Sequence, residues 1–144
     1  MAILAWEPNV KVEVLDSNRQ PLCEYDDDDE SSHADEGSIT KYIEAKSGTN
    51  FQVRAIFSEG FETIHSVRMK ITIDGRVSTS LLIERDSLHA RDGHWCSGMS
   101  NYKDGQRYRL GFKFSDLQIG MFATFAVSLF THPCRRGGRG RIAF

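Results

Sequence analysis

In four separate stretches of this chain every second residue is apolar, and that period of two restricts the fold more than any other feature. Val10, Val12 and Val14 alternate with Lys11 and Glu13; Phe51, Val53, Ala55 and Phe57 alternate with Gln52 and Arg54. Val67, Met69, Ile71 and Ile73 alternate with Arg68, Lys70 and Thr72, and Tyr108, Leu110, Phe112 and Phe114 with Arg107, Arg109 and Lys113. Side chains of an extended strand point alternately to its two faces, so each run gathers its apolar members on one face, whereas a helix would scatter them around its axis. Turn residues punctuate the runs. Asp74-Gly75 favours the type I′ turn and predicts a hairpin of about 66–73 with 76–83. Asp104-Gly105 precedes a strand at 106–115, Asp92-Gly93 precedes His94-Trp95, and Ser47-Gly-Thr-Asn50 predicts another hairpin loop, between 39–46 and 51–57. Helical signal is weak: Arg85-Asp-Ser-Leu-His-Ala-Arg91 has room for one turn.

Strands with one apolar face must cover it, and a second sheet is the usual cover. The fold class expected is all-β: an antiparallel β-sandwich, jelly-roll-like, with seven or eight strands and little helix. A length of 144 residues suits one domain. The longest apolar stretch, 119–131, is shorter than the roughly 20 residues of a membrane helix. The apolar run before Glu7 is too short for a secretory signal and has no basic lead. Three widely spaced cysteines, Cys23, Cys96 and Cys134, imply no disulfide framework. An intracellular protein follows, nuclear or cytoplasmic, not secreted and without membrane contact.

Charge is unevenly spread. The first 36 residues hold 11 acids and two bases, and the remainder nine acids and 16 bases. Residues 24–36 alone hold eight acids, a composition that cannot bury apolar surface and reads as a solvated loop inserted in the domain. No acid follows Asp116, and the chain ends in Cys134-Arg-Arg-Gly-Gly-Arg-Gly-Arg141 and three further residues. Ile119–Phe130 reads as a last core strand, the domain as residues 1–132, and 133–144 as a flexible Arg/Gly-rich tail.

Several of these features resemble a fungal domain family without an assigned activity. They are the Val10–Leu15 strand, Pro21-Leu-Cys-Glu-Tyr-Asp-Asp-Asp-Asp29, Lys41-Tyr-Ile-Glu-Ala-Lys-Ser-Gly48 followed by Phe51, and Ile73-Asp-Gly75 leading into Leu81-Leu82. The Tyr-Ile-Glu-Ala-x-Ser-Gly-x-x-Phe run is the most specific. The likeness covers about residues 1–117. It implies a β-sandwich and supplies no catalytic residue, and the segment after Leu117 departs from the polar strand and charged tail it would lead one to expect.

Candidate chemistry is thin. Asp26, Asp27, Asp28, Asp29 and Glu30 offer the hard oxygen ligands a divalent cation takes, but lack the alternate spacing and glycine turn of a calcium loop. His94 and Cys96 share a strand face, yet zinc needs three or four ligands, and Cys23 and Cys134 lie far away in sequence. A buried cysteine beside a core tryptophan, Trp95, is the simpler expectation. No Gly-x-Ser-x-Gly elbow and no phosphate-cradling glycine loop is present. No catalytic, cofactor or metal residue is therefore assigned.

Two basic groups remain. Arg107, Arg109 and Lys113 form a stripe on the outward face of one strand, with Arg68 and Lys70 on another; ordinary solvated sheet faces look the same. Arg135, Arg136, Arg139 and Arg141 suit phosphate contacts but have few aromatic neighbours for stacking bases. The expected function is a non-catalytic protein-interaction or assembly module that uses the acidic loop and the basic strand face, with a protein partner, a basic surface being the natural complement of the loop. One alternative is a histone-chaperone-like acidic β-sandwich, by fold analogy alone. The other is a weak nucleic-acid binder acting through the Arg/Gly tail.

Overall fold

The structure, a computed structural model, describes residues 2–4, 7–25, 41–115 and 125–132. It is mostly β, and every strand pairing among the described residues is antiparallel. The strands are β1 (Ala2–Leu4), β2 (Glu7–Asp16), β3 (Glu24–Tyr25), β4 (Tyr42–Ile43), β5 (Asn50–Phe57) and β6 (Ser66–Ile73). They continue with β7 (Arg76–Ile83), β8 (His94–Cys96), β9 (Gly98–Lys103), β10 (Gln106–Lys113) and β11 (Phe125–His132). The strands that exceed the expected seven or eight are short. Two or three residues, as in β1, β3, β4 and β8, carry too little alternation to register as a period.

One sheet runs β1-β2-β5-β10-β9, with β8 also paired to β5; a second runs β11-β6-β7; β3 and β4 pair with each other. The two sheets share one core. It draws Val10 and Val14 from β2, Phe51, Val53, Ala55 and Phe57 from β5, Val67, Met69 and Ile71 from β6, and Ile83 from β7. Phe112 and Phe114 complete it at the end of β10, where the Phe51 ring stacks on both, at centroid distances of 5.4 and 4.4 Å. Each fully buried aliphatic or aromatic side chain contributes about 1.5–3 kcal/mol, well above an exposed ion pair, so this shared core is the principal source of stability.

The Asp74-Gly75 hairpin forms as expected. Asp74 and Gly75 have φ of 49° and 73°, the left-handed pair a type I′ turn demands, and β6 meets β7 with Ile73 opposite Arg76. Asp104 and Gly105 repeat the device at 52° and 75° between β9 and β10. The expected helical turn is a short 3-10 turn, Arg85–Ser87, closed by the Ser87 and Leu88 N–H groups on the Glu84 and Arg85 carbonyls. It drops Leu88 into the core.

Four expectations need correction. The turn at Ser47-Gly48 exists but does not close a hairpin, because β4 pairs with β3 and β5 pairs with β2, β8 and β10. The Gly48 N–H instead donates to the Phe114 carbonyl and the Phe114 N–H to the Thr49 carbonyl, which fastens the turn to the end of β10. Secondly, Tyr108 and Leu110 are 45% and 49% exposed although they share a face with buried Phe112. Their strand meets β5 only at Phe112 and Lys113, and its first half pairs with β9 alone, overhanging the core. Thirdly, Trp95 is not a core residue: it is 37% exposed, with the Arg19 guanidinium 3.6 Å above its ring. Arg19 reaches it from a turn in which Asp16 accepts the N–H groups of Asn18 and Gln20. Fourthly, the last described strand is Phe125–His132 and lies in register along all of β6. The strand runs two residues past the expected end at Phe130, and residues 119–124 of the expected span lie outside the described residues.

Candidate functional site

The acidic residues Asp26, Asp27, Asp28, Asp29 and Glu30 lie outside the described residues, as do Arg135, Arg136, Arg139 and Arg141 of the tail. What is described is the neck that flanks the acidic tract. Glu24 pairs with Ile43 and Tyr25 with Tyr42, so the chain on either side of the tract is held side by side.

The basic stripe on β10 is described in full. The I′ turn at Asp104-Gly105 sets the register of β9 against β10, so Ser100 faces Arg109 and Tyr102 faces Arg107. Gly98 makes this approach feasible: a Cβ there would sit 2.0 Å from the Leu110 carbonyl oxygen. Arg107 and Arg109 are two residues apart and share a strand face. The Arg107 guanidinium donates twice to the Ser100 hydroxyl oxygen, at 3.2 and 2.9 Å, and Arg109 donates to the Ser97 hydroxyl oxygen at 2.8 Å. Among the described residues neither arginine meets a carboxylate. Lys113 has the same parity at the other end of β10, beside Gly48. Of the second basic group, Arg68 is exposed on β6 and Lys70 is half-buried.

Beside the two arginines lies an open groove of about 780 Å³ whose other wall is Ser78, Thr79 and Ser80 of β7. Among the described residues its lining holds no acid. Sequence reasoning found the arginines but missed the hydroxyls that brace and face them.

Three other charges on the large sheet are committed to one another. Glu13 of β2 is 3% exposed and faces Arg54 of β5, whose Nε donates to it at 2.9 Å and a terminal nitrogen at 2.5 Å, while Lys11 pairs with its other oxygen. Burial pushes the Glu13 carboxyl up, but the hydrogen bonds and charges of Lys11 and Arg54 outweigh it and hold the pKa below its ordinary value. Glu13→Gln is expected to cost about 1.5–3 kcal/mol at neutral pH, the range for hydrogen bonds to charged groups. A carboxyl depressed on folding contributes fully above its unfolded pKa, near 4.5, and loses that contribution as pH falls through the folded value. Urea midpoints of the native chain should therefore drop more steeply below pH 4.5 than those of the variant; parallel profiles would contradict the pairing.

His94 and Cys96 do share a face on β8, but each addresses backbone. The His94 Nε2 lies 3.0 Å from the Leu88 carbonyl oxygen, and the Cys96 thiol donates to the Gly98 carbonyl at 3.1 Å. Among the described residues no three His, Cys, Asp or Glu side chains are grouped to hold a metal ion. No helix among them is long and apolar enough to cross a membrane.

These features define an antiparallel β protein whose best-formed surface chemistry is a pair of serine-braced arginines. The chain belongs to a family described as a domain of unknown function, DUF7918, whose model matches residues 9–127. The match continues past Leu117 and into β11. No curated protein and no solved structure matches the chain.

Proposed function

We propose that this protein is a non-catalytic interaction module, built on a jelly-roll-like β-sandwich, whose basic strand face receives an acidic segment of a protein partner. The observation that carries it is the state of Arg107 and Arg109. Both guanidiniums are held in place by serine hydroxyls, which orients them without neutralising them. Arg54, by contrast, spends its charge on Glu13, and Arg19 lies over Trp95. Oriented cations that meet no carboxylate among the described residues, beside an open groove, lose little side-chain entropy when a carboxylate arrives and steer it from a distance. The chain's own acidic tract is the natural competitor for this face, and its opposite sign allows it to steer a basic partner in turn.

The test uses the full chain and a fluorescein-labelled peptide of sequence 24–36 as acidic probe. Saturable binding that weakens with salt is expected, and Arg107→Ala combined with Arg109→Ala should reduce it about ten-fold or more, on the scale of one charge-assisted contact per arginine. Unchanged affinity in the double variant would sink the proposal. A single-stranded oligonucleotide that binds more tightly than the peptide through the same arginines would favour the nucleic-acid alternative. A histone-chaperone-like variant of the proposal further requires an oligomer, and sedimentation at monomer mass would end that version.

A further inference from the structure

We infer that the groove between β7 and β9 is a phosphoryl site, selective for phosphoserine or phosphothreonine in an extended segment over plain carboxylates. The inference rests on the interaction reading above and names the chemistry of its ligand.

Three features point to a tetrahedral dianion. First, the two arginines converge on one groove from positions two residues apart, about 7 Å along the strand, a span that one phosphoryl group with three acceptor oxygens can bridge. Second, the bracing serines do more than position the guanidiniums. Ser100 and Ser97 each accept N–H bonds on oxygen, so each hydroxyl keeps its own proton to donate. Ser100 lines the groove, so Arg107 arrives there with an O–H donor beside its N–H fork, while Ser97 holds Arg109 from outside the lining. Third, the facing wall is the Ser78–Ser80 stretch of β7, which among the described residues brings no acid; Ser78 donates to the Arg76 carbonyl, and Thr79 and Ser80 alternate in face, so the wall offers hydroxyl and backbone groups in place of charge. A planar carboxylate satisfies two donors well and leaves the rest of such a wall idle; a phosphoryl group has an oxygen for each side.

A nucleic-acid strand fits the same chemistry less well. Successive phosphates need a track of cations, and the next base of this parity on β10, Lys113, lies four residues beyond Arg109, outside the groove. A single-anion pocket suits one phosphorylated side chain on an extended peptide.

The experiment compares four probes on the full chain by fluorescence anisotropy. They are a degenerate dodecapeptide library with central phosphoserine, the same library with serine, the same with glutamate, and a single-stranded oligonucleotide of matched charge. The phosphoserine library should bind at least ten-fold more tightly than the glutamate library. Ser100→Ala should weaken phosphoserine binding several-fold more than glutamate binding and so narrow that margin, and Arg107→Lys should reduce it by removing the fork while keeping the charge. Ser100→Ala and Arg107→Lys are solvent-exposed changes, so matched thermal midpoints are expected to show that each variant is folded. Equal binding of phosphoserine and glutamate libraries would overturn the phosphoryl assignment and leave the interaction reading standing. Failure of both would overturn both, and tighter binding of the oligonucleotide through Arg107 would replace the peptide ligand.

Discussion

Ile71→Ala should destabilise the protein by about 2–5 kcal/mol, the range for removing a large aliphatic side chain from a core that cannot close over the gap. Ile71 is fully buried, and it sits in the middle of β6, which is paired on both sides, with Thr79 across one ladder and Val127 across the other. A central strand held from both sides cannot move inward, so the cavity stays. Because the β6 residues pack in the same cluster as β2 and β5, the loss should reach the whole domain. A single urea transition should shift to a lower midpoint with an unchanged slope. Leu82→Ala, on the same sheet but 52% exposed, should stay within about 0.5 kcal/mol of the native chain. Equal effects at the two positions would mean that the sheets do not share a core.

The second large effect is expected at a residue with no side chain. Gly98→Ala places a carbon 2.0 Å from the Leu110 carbonyl oxygen and 2.8 Å from its carbonyl carbon, both backbone atoms of the partner strand. No rotamer relieves that overlap, so β9 and β10 must part where Gly98 faces Gly111. The cost should be about 3 kcal/mol, at the upper end for overpacking. Gly75→Ala is the matched control. Its φ of 73° is foreign to alanine, whereas Gly98 has no positive φ, but nothing lies within 4 Å, so only the backbone preference is lost, about 1 kcal/mol. Gly98→Ala should also weaken binding of the acidic probe, since Ser97 and Ser100, which brace the arginines, flank the forced separation. Equal stability of the two variants would contradict the close pairing of β9 with β10.

Much of the fold is legible from the period of two and from two Asp-Gly pairs. Phe51, Val53, Ala55 and Phe57 are all buried as their alternation requires, and the Asp74-Gly75 and Asp104-Gly105 turns have the left-handed geometry their residues favour. What alternation does not convey is which strands meet. Tyr108 and Leu110 follow the pattern as well as Phe112 does, yet they overhang the core because β5 ends its pairing at Phe112 and Lys113. Nor does a turn signal say that its flanking strands pair: Gly48 turns the chain, but toward Phe114. The site was half visible. Arg107 and Arg109 stand out by parity. Ser100 was within reach too, because a two-residue turn at Asp104-Gly105 places position 100 opposite 109. The β7 wall was not, since it comes from a separate sheet, and only tertiary packing brings Ser78–Ser80 beside β9. The alternation of the valines with Lys11 and Glu13 does not reveal that Glu13 is buried; its cross-strand partner Arg54 and the Lys11 ammonium cover it.

The most direct measurement is backbone amide chemical-shift mapping of the full chain during titration with the acidic 24–36 peptide. Shifts concentrated at Ser97, Ser100, Arg107 and Arg109, with smaller ones along Ser78–Ser80, are the expected result. Shifts centred instead on Arg54 and Arg19, or spread without focus over the surface, would show that the serine-braced arginines are not the face that meets acidic ligands.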